Sequence, residues 1–144
     1  MSEKKTKSNE QLMQEKYMEF QMLERQMKQL QAQVEQVQSQ IADVMYLQQS
    51  IVELKTVKVG KELFVPIGSG IFVNAELKNN QDVLVNVGGG VVVKKSIESA
   101  AELLSAQIAQ MQSIEDERTK MLVELSESAG RIEQELAKLV EGEA

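Results

Sequence analysis

The chain has 144 residues and a formal net charge of −6, with charged residues at 26%, hydrophobic ones at 42%, only two Tyr and three Phe, and no Trp, His or Cys. That length suits one ordinary domain, so few large aromatics argue against a bulky globular core, and the missing His and Cys remove the commonest general base, thiol nucleophiles, thiolate metal sites and disulfides. Lys and Arg interspersed with Glu and Asp argue against nucleic acid as a partner; no apolar run approaches the roughly 20 residues that span a bilayer, and the polar start has no signal-peptide apolar stretch, so no membrane partner and a cytoplasmic location are expected.

Residues 1–10 read as a flexible N-terminus. Residues 11–56 hold no Gly or Pro and are rich in Gln, Glu, Met and Leu, which predicts one long helix. Its apolar residues fall at Met13, Phe20, Met27, Val34 and Ile41, and at Leu23, Leu30, Val37, Val44 and Ile51, in alternating steps of three and four. These are heptad a and d positions of a coiled coil. The seam falters at Lys16 and at Gln48, where Leu47 and Leu54 suggest that the stripe slides by one residue.

Residues 57–95 change character. Leu63 to Ile67, Gly68-Ser69-Gly70 and Ile71 to Leu77 predict a β-hairpin; Val83 to Val87, Gly88-Gly89-Gly90 and Val91 to Lys94 predict a second. Pro66, the only proline, cannot donate to a ladder and belongs on an edge or at a bulge. The two Gly clusters could be mistaken for phosphate cradles, but neither precedes Lys-Ser/Thr and a helix, so hairpin turns are the better reading.

Residues 96–140 return to helix, with Ser96 as a candidate N-cap and seam residues Ile97, Ala101, Leu104, Ile108, Met111, Leu122, Leu125, Ala129, Ile132, Leu136 and Leu139. Glu115 and Arg118 interrupt the seam, and residues 141–144 read as a flexible tail. At about 1.5 Å per residue each helix would reach roughly 60–70 Å. The simplest topology folds the second helix back along the first. With Ile41 facing Met111, the numbers of facing residues add to 152, which sets Met13 against Leu139 and Phe20 against Ile132. Val34 and Val37 then meet Arg118 and Glu115 in a polar layer that would fix register.

The expected fold class is therefore mainly α, a long antiparallel coiled-coil hairpin with a small β head inserted between its helices. The scattered Glu and Asp read as solvated helix faces rather than acid–base pairs or metal ligands. The Gln-rich stretch 26–40 reads as a polar helix flank rather than a prion-like segment. No enzyme activity and no cofactor are expected. Four short strands are too few to close a barrel. Missing strands would come from other subunits, with Leu63, Val65, Ile67, Ile71, Val73, Leu77, Val83, Val85, Val87, Val91 and Val93 as candidate oligomerisation residues; strands that merely cap the coiled coil are the plainer alternative.

Away from the head, Leu12, Tyr17, Met18 and Met22 lie off the seam, whereas between Glu24 and Asp43 the first helix carries no large apolar residue outside it. Adaptable apolar residues at a coiled-coil end suit unrelated apolar segments. The candidate client-binding set is Leu12, Met13, Tyr17, Met18, Phe20, Met22, Ile132, Leu136, Leu139 and Val140. Ordinary seam filling competes with that reading.

A long helix, the stretches Glu62-Leu63-Phe64-Val65-Pro66-Ile67-Gly68-Ser69-Gly70 and Asp82-Val83-Leu84-Val85-Asn86-Val87-Gly88-Gly89-Gly90-Val91, and a long returning helix resemble the prefoldin family, in its two-hairpin α class of archaeal type. The resemblance covers almost the whole chain. It implies a hetero-hexamer of two α and four β subunits whose strands complete a double β-barrel platform carrying six coiled coils. It further implies an ATP-independent chaperone that holds unfolded proteins at the coiled-coil ends and delivers them to a group II chaperonin, without catalytic residues. A scaffold subunit that binds no client is the other reading.

Overall fold

A computed structural model describes residues 8–143. The elements run α1 (Asn9–Glu53), a 3-10 turn (Leu54–Thr56), β1 (Glu62–Gly68), β2 (Ile71–Glu76), β3 (Asp82–Gly88), β4 (Val91–Ser96) and α2 (Ile97–Glu143). Ser8 caps α1, its Oγ accepting the Gln11 N–H at 3.2 Å, so the helix starts at Asn9 and takes in the last two residues of the 1–10 stretch expected to be flexible; residues 1–7 lie outside the described residues. Ser96 caps α2 in the same way, accepting the Ser99 N–H at 3.1 Å. At its other end α2 runs through residue 143, past the expected boundary at 140. Half-buried Leu139 keeps the last turns seated on the seam.

The chain divides into two compact units. The terminal unit joins residues 8–38 to residues 113–143. On α1 Met13, Lys16, Phe20, Leu23, Met27, Leu30, Val34 and Val37 are half-buried or buried in an unbroken three–four alternation, with Leu12 half-buried beside them, and α2 answers with Glu115, Arg118, Leu122, Leu125, Ala129, Ile132, Leu136 and Leu139. Lys16 is thus a member of the seam rather than a gap in it. Lys16 meets Glu135 and Gln38 meets Glu115, pairs whose numbers add to 151 and 153, which agrees with the register expected from spacing. The expected polar layer is in place, with the Gln38 amide donating to Glu115 Oε1 at 2.8 Å. Val34 and Val37 are nevertheless buried there, because the stems of Glu115 and Arg118 are long enough to cover them.

The head unit comprises residues 39–112. Its core is formed by Ile41, Ile97, Ala100, Leu104 and Ile108, and Ile97 is fully buried at 0% exposure. The expected slide of the stripe at Gln48 does not occur there. Gln48 is half-buried on the seam and its Nε2 donates to the Ala101 carbonyl at 2.8 Å and to Ser105 Oγ at 2.6 Å, so a polar residue fills an apolar slot because both amide protons find acceptors. Burial leaves the heptad positions at Ser50 and Ala100 and again at Leu54 in the 3-10 turn.

The four strands form two separate antiparallel hairpins. Val65 pairs with Val73 and Pro66 with Phe72, the register shifting between Pro66 and Gly68, so proline sits beside a bulge as its missing N–H requires. Val85 pairs with Val93 in the second hairpin, which shifts likewise between Asn86 and Gly88. Both hairpins turn through two residues of positive φ, Ser69 (40°) with Gly70 (77°) and Gly89 (60°) with Gly90 (76°), as a tight right-twisted hairpin demands. Asn79 orders the loop between the hairpins, its Oδ1 accepting the Gln81 and Asp82 N–H groups at 2.8 and 3.1 Å.

Candidate functional site: exposed apolar surfaces of the head and of the chain ends

In the head, strand alternation sends Leu63, Val65 and Val73 to one face of the first hairpin and Phe64, Pro66 and Phe72 to the other. Of the residues expected to mediate assembly, Val65, Ile67, Ile71, Val73, Val87, Val91 and Val93 are exposed, whereas Leu63, Leu77, Val83 and Val85 are half-buried. The sequence reading missed the opposite faces. Phe64 and Leu84 are 73% and 74% exposed, and Phe72 and Val92 are exposed beside them. The signal was present, since Phe64, Phe72, Leu84 and Val92 fill alternate positions that a one-sided sheet would give to polar residues.

Among the described residues β3 pairs only with β4, and its other edge has no partner strand there. Beside it lies a groove of about 240 Å³ whose lining includes Leu47 and Ile51 of α1, Val83 and Leu84 of β3, and Leu103 of α2. Leu47 therefore faces this groove rather than the seam. An unpaired edge beside an apolar trough is a place for another strand.

At the chain ends, a groove of about 400 Å³ is lined by Glu10, Met13, Gln14, Tyr17, Leu136 and Val140. Four residues of the expected client-binding set meet here, Met13, Tyr17, Leu136 and Val140; Tyr17 is 56% and Val140 59% exposed. Phe20 and Leu139 are half-buried on the seam, and Ile132 is closed within it. Met18 and Met22 are exposed on α1 positions five and nine residues from Met13, which turns them to its outer side. Leu12 flanks the seam on the side of Glu135, away from the groove. The off-seam residues thus do not form one surface. α2 adds exposed Ile114, Met121 and Val123, so the stretch that reads as polar from α1 alone carries apolar residues on its partner helix.

Lys16 Nζ lies 2.7 Å from Glu135 and 3.9 Å from Glu19. The hydrogen bond to Glu135 raises the pKa of Lys16. The same bond, aided by the charges of Lys16, Lys138 and Arg131, holds Glu135 below the ordinary carboxylate value. A depressed carboxylate stabilises the fold above its unfolded pKa and loses that contribution as pH falls through the lowered value; a raised lysine stabilises below its unfolded pKa and loses its contribution as pH rises through the raised value. The pair therefore holds between those limits. Hydrogen exchange over residues 12–20 and 132–139, corrected for intrinsic rates, is expected to be faster at pH 3 than at pH 6. Glu135→Gln should shrink that difference, and an unchanged difference would rule the pair out as its cause.

Among the described residues no cluster of three acidic side chains could hold a metal ion, and no helix is long and apolar enough to cross a membrane.

A protein-family model described as Prefoldin subunit matches residues 23–142. The match takes in both hairpins and most of both helices, but not residues 9–22. Prefoldin subunit alpha of Methanobrevibacter smithii is 37% identical over 87 residues, 60% of this chain and 57% of that protein. The alpha subunit of Methanosarcina mazei is 33% identical over 109 residues, 72% of this chain and 77% of that protein. Against the first of these curated relatives the chain thus spans somewhat over half the length. A cryo-EM structure of filamentous PFD from Methanocaldococcus jannaschii shares the fold with a TM-score of 0.70 at 23% identity, over 81% of this chain and 94% of that one.

Proposed function

Because the chain belongs to the prefoldin subunit family, we propose that it is the α-class subunit of a cytoplasmic, ATP-independent holding chaperone. Its hairpins would pair with strands of β subunits in a hetero-hexamer of two α and four β chains, and its helix ends would hold unfolded clients for delivery to a group II chaperonin. The observation that carries this reading is the groove of Met13, Tyr17, Leu136 and Val140, open to solvent where ordinary seam filling would be closed. An unfolded client offers short apolar segments of no fixed sequence, so its receptor needs reachable apolar surface. Burying on the order of 100 Å² at one groove is worth about 2.5 kcal/mol, which is weak alone and useful only when several chain ends act together.

The test dilutes a chemically denatured protein into the assembled complex and follows light scattering beside the complex's mass. Tyr17→Ser with Val140→Ser leaves the a and d residues in place, so mass should persist while protection falls severalfold and nucleotide changes neither. Unchanged protection in the double variant would remove the groove as the client site. A wild-type complex that protects no client would favour a scaffold subunit instead.

A further inference from the structure

The two flanks of the terminal seam differ in charge. On the flank that opens into the groove, Glu10, Tyr17 and Glu24 follow one another at seven-residue spacing along α1, and Glu133 and Val140 do so along α2. Seven residues are two turns, so each series lies along one line of its helix. Glu10 is part of the groove wall, and Glu133 stands one turn from Leu136. No Lys or Arg occupies this line, and among the described residues no cation pairs with Glu10, Glu24 or Glu133. On the other flank the cations are engaged: Lys16 bonds Glu135 and approaches Glu19, and the charges of Lys138 and Arg131 act on Glu135.

We propose that the terminal groove selects apolar client segments carrying Lys or Arg on either side of their apolar centre, because its apolar floor is bracketed by carboxylates that no cation among the described residues pairs; this rests on the holding-chaperone reading. Spacing supports the match. Seven helical residues rise about 10.5 Å, so Glu10 and Glu24 each stand roughly that far from Tyr17 along the helix. An extended chain covers this distance in about three residues. A bulky apolar residue seated on Tyr17 and Val140, with basic residues three positions before and after it, would meet both carboxylates. Such exposed pairs are individually weak and salt-screened, so they tune the choice among clients without replacing the apolar contact.

The test uses the full-length chain and three fluorescent peptides that share one apolar centre, flanked three residues away by Lys, Ser or Glu, with binding read by anisotropy. The Lys peptide should bind about three- to tenfold more tightly than the Glu peptide at low ionic strength, and the gap should narrow as NaCl is raised. Glu10→Gln, Glu24→Gln and Glu133→Gln together should abolish the gap between the Lys and Glu peptides. Glu117→Gln, Glu127→Gln and Glu141→Gln, the same charge change on outward positions, should preserve it. Equal binding of the Lys and Glu peptides by wild type overturns the proposal. A gap that survives the groove variant, or vanishes in the outward one, also overturns it by assigning the preference to overall charge. If no peptide binds even to the chain assembled with its partner subunits, the holding-chaperone reading itself fails and this inference with it.

Discussion

Ile97→Ala is expected to cost about 2–4 kcal/mol of unfolding free energy, the usual penalty for truncating a fully buried branched side chain. Among the described residues Ile97 is the one large side chain with no exposure at all, and three structures meet at it. β4 ends at Ser96 and α2 begins at Ile97 with no loop between them. The Ile97 N–H donates to the Gln81 carbonyl at 2.9 Å, tying the start of the helix to the start of the second hairpin. Ser96 supplies the helix cap. A cavity here should loosen the helix start and the hairpin base together, so chemical denaturation should show a lower midpoint, and hydrogen exchange should quicken over residues 82–104 ahead of residues 113–139. A loss below roughly 0.5 kcal/mol, the range of ordinary surface changes, would mean that the site collapses around alanine.

The second large effect is expected from excising residues 82–94. The cut ends already lie close, since Asp82 pairs with Ser96 and Gln81 accepts from Ile97, so Gln81 can join Lys95 with little rearrangement. The helices should survive, because the seam residues of both units lie outside the excised stretch. The loss falls on the free edge of β3 and on Val83 and Leu84, which form one wall of the head groove. If that edge receives a partner strand, as the proposed function requires, mixing the excised chain with β subunits should give no hexamer by native mass measurement while helical circular dichroism stays near its starting value. A hexamer of unchanged mass would show that the second hairpin is dispensable for assembly.

What the sequence made legible follows from which interactions are local. The heptad seam was readable because apolar spacing sets which side of a helix is buried, and the facing register held because both helices repeat with the same period. The turns were readable because Gly-rich pairs are needed where φ is positive, although Ser69 shows that a serine can occupy such a position. Lys16 and Gln48 read as defects because nothing in their own neighbourhood names Glu135, Ala101 or Ser105 as partners. The candidate head residues were chosen by following alternation along a single set of positions, which left Phe64, Phe72, Leu84 and Val92 out. At the chain ends, off-seam described residues that point in several directions. Tyr17 and Val140 belong together only because they flank the seam on the same side, whereas Met18 and Met22 were equally apolar and lie elsewhere.

The bare hairpins also bear on how such a chain has to be made. Both faces of the first hairpin carry exposed apolar side chains, and β3 offers a free edge next to an apolar trough; this is the surface type that templates unwanted strand pairing. A copy synthesised without a partner to cover its head is itself prone to precipitate. Under the proposed function, output of this chain is expected to be matched to that of the subunits that would cover its head, and any surplus to be degraded, so that supply is balanced before assembly.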